Sequence, residues 1–99
     1  MSDGEDAPVE VPLTGELDLH AFSPRDVPSV VEEYVLACAE KGLRVLRLVH
    51  GRGRGVQRAM VRGVLARMPL VEAYEDAAAL SGGWGATVVR LRAKEKSVP

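Results

Sequence analysis

The 99-residue sequence predicts an α/β domain with the element order β-α-β-α-β-β. Three observations carry that prediction. Two short apolar runs, Gly15 to Leu19 and Leu43 to Val49, are each followed by a segment whose apolar residues recur at helical spacing. Two later runs, Val71 to Asp76 and Ala86 to Leu91, alternate or are rich in β-branched residues and read as strands. Successive strand-helix-strand steps argue for parallel pairing with right-handed crossovers, which brings the ends of the first two strands to one edge of the sheet.

The elements follow in order. Residues 1–14 form an acidic arm with Pro8 and Pro12, expected to be disordered; the domain spans 15–92, and 93–99 is a flexible tail. Ser23, Pro24 and Asp26 are a helix-start signature, and Val27, Val30, Val31, Tyr34, Val35 and Cys38 mark one apolar face up to Lys41-Gly42. Pro28 lies deep for a proline, so either the first turn is irregular or regular helix begins nearer Asp26. The second helix runs from Val56 to Arg67, with Met60, Val61, Val64, Leu65 and Met68 inward, and Pro69 stops it. Ala77 to Leu80 fits no single state, and Ser81 to Gly85 is a loop or turn. Tyr34 and Tyr74 belong to the core.

Composition narrows the function classes. With 46% hydrophobic residues the chain supports one core and hardly two. A single cysteine, Cys38, excludes an intrachain disulfide and a cysteine metal cluster and reads as a small buried hydrophobe. The first twelve residues hold no apolar run, so neither a signal peptide nor a membrane span is expected; the reading is a cytoplasmic monomer. A net charge of -1 conceals a division. Up to Lys41 ten acids face two bases, a balance of -8, whereas from Gly42 onward eleven bases face four acids, +7. Such an asymmetry can produce a basic face on a nearly neutral protein; scattered Arg90, Arg92, Lys94 and Lys96 read as an ordinary solvated face, whereas Arg52, Arg54, Arg58 and Arg62 form a cluster.

The chemistry concentrates after the second strand, where His50-Gly51-Arg52-Gly53-Arg54-Gly55 leads into the second helix. Glycines between a strand end and a helix start let the backbone approach an anion, and helix N-H groups favour negative charge there. Arg52 and Arg54 add cations, and His50 a group that moves protons near neutral pH. Arg58 and Arg62, four residues apart on the helix that follows, share a face that can track phosphates. Asp18 and His20, two apart on the first strand, are expected to project together beside His50. A histidine as general base or acid, arginines against oxyanion charge and a carboxylate to orient an imidazole or hold a metal suffice for phosphodiester cleavage.

These residues resemble a known family. Leu17-Asp18-Leu19-His20, His50-Gly51-Arg52-Gly53 and Gly82-Gly83-Trp84-Gly85-Ala86-Thr87-Val88-Val89 stand in the order and spacing of the Smr, or small MutS-related, domain, over about Gly15 to Leu91. The resemblance implies a two-layer α/β sandwich with a mixed four-stranded sheet, similar to the C-terminal domain of translation initiation factor three. It implies nucleic-acid binding and, in several members, endonuclease activity on DNA or RNA. By position it assigns the catalytic aspartate and histidine to Asp18 and His20 and the His-Gly-x-Gly loop to His50, Gly51 and Gly53. One departure is Ala21, where the family motif commonly carries glycine; a positive φ there would strain alanine, and otherwise the methyl only narrows the space beside His20.

The reading is a nucleic-acid-processing protein with endonuclease potential. Asp18, His20 and His50 are the candidate catalytic residues. Gly51, Arg52, Gly53, Arg54, Arg58 and Arg62 are the candidate nucleic-acid contacts, with Trp84 as a platform for a base. No cofactor is certain beyond a weakly bound divalent ion such as Mg or Mn, because Asp18 is the only obvious hard ligand near the site and a tight all-protein cage is not expected. Plainer readings stand beside these. Asp18 and His20 can be a structural pair, His50 can bond a nearby carbonyl, the glycines can serve a tight turn, and Trp84 can cover the core edge. The rival function is a non-cutting module for structured nucleic acid, an adaptor in repair, recombination or ribosome quality control. An enzyme for a small phosphorylated metabolite ranks third.

Overall fold

The computed structural model describes residues 12–51, 55–81 and 83–93. Its elements are β1 (Glu16–Asp18), α1 (Val27–Lys41), β2 (Val45–Val49), α2 (Val56–Ala66), β3 (Val71–Asp76) and β4 (Ala86–Leu91), in the order the sequence predicts. The expected arm falls mostly on residues 1–11 and the expected tail on 94–99, outside the described residues.

The four strands form one mixed sheet in the order β1-β2-β4-β3. β1 lies parallel to β2, with Asp18 opposite Val49, whereas β4 runs antiparallel to both β2 and β3. The first crossover therefore gives the parallel pair expected, but the second does not, because β4 inserts between β2 and β3. Side-chain character explains the order. β4 buries Ala86, Thr87, Val89 and Leu91 and suits a central place, while β3 exposes Glu72, Glu75 and Asp76 and suits an edge. Along β2, Leu46 and Leu48 are buried and alternate with more exposed neighbours, so one sheet face meets the helices and the other faces outward.

Val27, Val31, Tyr34, Val35 and Cys38 of α1 and Val61, Val64 and Leu65 of α2 join Leu17, Leu46, Leu48, Val89 and Leu91 in one core. Each fully buried aliphatic side chain contributes roughly 1.5–3 kcal/mol. Val30, Met60 and Tyr74, expected inside, pack partly buried against this core. Pro28 costs nothing here, because Pro24–Asp26 forms a single 3₁₀ turn and the α-helix starts at Val27, so the proline falls where backbone donors have no intrahelical partner. Ser23 does not cap the helix with its side chain; its hydroxyl donates to Asp26 Oδ2 instead. At the other end Gly42, at φ 97°, closes a Schellman turn, with its N-H on Ala39 and that of Leu43 on Cys38. Among the described residues no helix is long and apolar enough to cross a membrane.

Candidate functional site

β1 is shorter than expected, ending at Asp18, and the chain turns through a 3₁₀ segment at Leu19–Ala21 anchored by fully buried Leu19. Strand alternation therefore does not bring Asp18 and His20 together. The turn does: Asp18 Oδ1 accepts both the backbone N-H of His20 at 2.9 Å and the ring Nδ1-H at 2.8 Å. The backbone bond first, and the ring bond second, hold the Asp18 carboxyl below its ordinary value. Because a carboxylate only accepts, Nδ1 carries a proton, and in the neutral ring Nε2 is the lone-pair nitrogen. The side chains are 61% and 65% exposed for His20 and Asp18, so the dyad is open to a large substrate.

Across the parallel register, β2 leads into His50 and Gly51 beside this turn. Gly51 adopts φ +82°, and a Cβ added there would lie 2.8 Å from His20 Nε2 and 3.2 Å from its Cε1. Glycine suits the backbone angle, and any Cβ here would push the His20 imidazole from its place. This contact joins the first motif to the second.

His50 has a different environment. It is only 4% exposed, its Nδ1-H donates to Gly51 O at 2.9 Å, and its Nε2 accepts from the Thr87 hydroxyl at 2.8 Å. Burial, above all, pushes its pKa below the ordinary histidine value, which favours this neutral tautomer. Neither nitrogen is offered to a substrate, so the proton-transfer role expected for His50 does not fit its geometry; the carbonyl-bonded reading does. The N-H groups of His50 and Gly51 both donate to Gly85 O, at 3.0 and 2.8 Å. Gly51 thus offers shape rather than an anion-binding amide.

Arg58 and Arg62 do share a face of α2, as their spacing predicts, but both bind Asp76 at the end of β3. Arg62 also lies 5.3 Å above the Tyr74 ring. The helix itself begins at Gly55, φ 81°, with no side-chain cap on its first N-H groups. Arg52, Gly53 and Arg54, and the side chain of Trp84, lie outside the described residues. The backbone of Trp84 belongs to the 3₁₀ turn Gly83–Gly85. Among the described residues no non-glycine has positive φ, so Ala21 is unstrained where the family motif commonly has glycine.

Sequence reasoning missed Thr87 and Asp76. A fully buried threonine within an apolar strand needs a hydroxyl partner, and that was the available signal for Thr87. Asp76, the last of three acids on an edge strand, carried none. Among the described residues no cluster of three or more His, Cys, Asp or Glu is placed to hold a metal. Asp18 takes both His20 N-H groups on Oδ1, and one carboxylate by itself does not make up the six-oxygen set that Mg or Mn requires.

The Smr domain family model matches residues 17–92, the span that holds the Asp18–His20 turn, the His50-Gly51 corner and the Gly85–Thr87 support. The chain belongs to the Smr domain family. It is 38% identical over 77 residues to Endonuclease MutS2 of Thermus thermophilus, covering 78% of this chain and 10% of that protein. Endonuclease MutS2 of Shouchella clausii is 33% identical over 89 residues, covering 90% of this chain and 11% of that protein. The chain thus spans about a tenth of the length of these relatives. The crystal structure of the Smr domain of Thermus thermophilus MutS2 superposes with a TM-score of 0.75 at 37% identity, covering 80% of this chain and 99% of that one. YdaL, a stand-alone small MutS-related protein from Escherichia coli, gives a TM-score of 0.68 at 28% identity, covering 85% of this chain and 69% of that one. The Smr fold is therefore the two-helix, mixed four-stranded arrangement described above.

Proposed function

We propose that this Smr domain binds nucleic acid and cleaves its phosphodiester backbone through the Asp18–His20 dyad. The observation that carries the reading is the 2.8 Å Asp18–His20 bond, which orients the His20 ring against Gly51, where the glycine-arginine loop begins. His20 Nε2 accepts the proton of the attacking hydroxyl, the 2′-hydroxyl of RNA or a water on DNA, as the new phosphorus-oxygen bond forms. Asp18 stabilises the resulting imidazolium. The bond to the leaving oxygen breaks, and that oxygen takes up a proton from His20 or from water. Arg52 and Arg54 supply the countercharge for the phosphate in this reading. The name of the relatives, Endonuclease MutS2, supports the same chemistry.

A second reading has its own observation. The strongest influence on Asp18 is the backbone N-H of His20, the bond of a structural turn, and the dyad is well exposed. A binding module that holds nucleic acid without cutting it needs no more. The two readings separate when end-labelled RNA, single-stranded DNA and branched DNA are incubated with wild type, Asp18→Ala and His20→Ala, with and without chelator. Cleavage reduced about 10²–10⁴-fold in both variants, with binding kept, supports the endonuclease. Cleavage that persists in both sinks the dyad, and binding without cleavage by wild type on every substrate favours the module.

A further inference from the structure

The cluster on the α2 face beside the His50–Thr87 contact contains its own counterion. Asp76 pairs with Thr87 in the β3–β4 register, and Thr87 holds His50, so the cluster stands one strand away from the Gly51 corner. Arg58 reaches Asp76 Oδ1 through Nε at 3.0 Å and through Nη2 at 2.8 Å, and Nη2 also lies 3.1 Å from Oδ2. Arg62 adds Nη2 on the same Oδ1 at 2.7 Å. Two guanidiniums thus converge on one carboxylate oxygen, and the three groups together carry a charge of +1. The carboxylate is 40% exposed, so it can be reached from solvent. A guanidinium fork binds carboxylate and phosphate oxygens with the same geometry.

We propose that Asp76 is an internal stand-in for phosphate: it keeps Arg58 and Arg62 converged, and a backbone phosphate of bound nucleic acid competes with it for the two guanidiniums. This rests on the nucleic-acid reading above and adds a control on its affinity. A phosphodiester brought to this face finds the right donors but also a fixed negative charge beside them. Asp76→Asn keeps the shape and removes the one charge that competes with an incoming phosphate for these two guanidinium contacts. Each additional phosphate that the protein neutralises steepens the fall of log affinity with log salt by about 0.7–0.9. At about 0.1 M salt the expected rise in affinity is roughly 3- to 10-fold.

The test is fluorescence anisotropy with a short fluorescein-labelled single-stranded RNA and a DNA duplex, titrated at several salt concentrations. Wild type is compared with Asp76→Asn, Asp76→Glu and Asp76→Asn combined with Arg58→Gln and Arg62→Gln, each checked for folding by thermal denaturation. The expected result is tighter binding and a steeper salt dependence for Asp76→Asn, a wild-type slope for Asp76→Glu, and loss of the improvement in the triple variant. If Asp76→Asn does not fold, Asp76→Ser provides the same comparison. Wild-type binding that a folded charge-removal variant fails to improve, or weakens, overturns the competition and leaves the nucleic-acid reading intact. Absence of binding by wild type and by the charge-removal variant overturns both.

Discussion

His20 and His50 sit at the same sheet edge within the span matched to the Smr family, yet their surroundings are opposite. His20 lies on a 3₁₀ turn, exposed, with one nitrogen fixed by Asp18 and the other beside Gly51. His50 lies behind that corner, buried, with one nitrogen on Gly51 O and the other on the Thr87 hydroxyl. Residue type alone therefore does not identify the proton carrier. Burial and the number of engaged ring nitrogens separate the two, and within the proposed endonuclease they favour His20 as the proton carrier and His50 as part of the frame beside it.

Substitutions break this contrast in order of size. His20→Ala is expected to lower cleavage by about 10²–10⁴-fold while changing stability by no more than about 0.5 kcal/mol, read by single-turnover cleavage and urea denaturation. His50→Ala reverses the pattern. It leaves the Thr87 hydroxyl and the Gly51 carbonyl without their partner and opens a cavity, and is expected to cost about 2–4 kcal/mol of unfolding free energy. Gly51→Ala forces a side chain into positive φ and against the His20 ring, so a loss of about 1–3 kcal/mol in stability should accompany a loss of cleavage.

Acid sharpens the same contrast. Because burial depresses the His50 pKa, the unfolded chain takes up that proton first. The stability His50 contributes is complete above about pH 6.5 and declines as the pH falls below it, towards the depressed folded value. Asp18, also depressed, contributes fully above its ordinary value of 3.8, and that contribution declines below it and is gone once the pH has fallen through the lower folded value. Denaturation midpoints measured across the acid range should show the His50 phase first, and His50→Ala should abolish it. The smallest effect belongs to Ala21→Gly: with no positive φ at that position, cleavage should change by less than about 2-fold.

Much of the fold was legible because its signals are local. The bounds of β3 and β4 follow from alternation and β-branched residues, and the helix faces from apolar spacing. Strand order was less legible. The acids of Val71–Asp76 suit an edge strand and the apolar run Ala86–Leu91 a central one, but nothing local to either says which strand β4 pairs with. At the site, the meeting of Asp18, His20 and Gly51 could be read from topology and motif order, but its cause could not: an aspartate turn, rather than strand alternation, sets the dyad. The inward direction of His50 and the Asp76 tether on Arg58 and Arg62 depend on partners far along the chain. The helical spacing of the arginines showed that they share a face, not that a carboxylate from β3 already holds them.

The division between the two histidines is tested most directly by imidazole NMR spectra of ring-labelled protein during titration with a short single-stranded RNA or DNA. His20 resonances should move with bound oligonucleotide while those of His50 keep the Nδ1-H tautomer and stay in place. Movement of His50 with His20 unaffected would contradict the assignment of the reactive histidine.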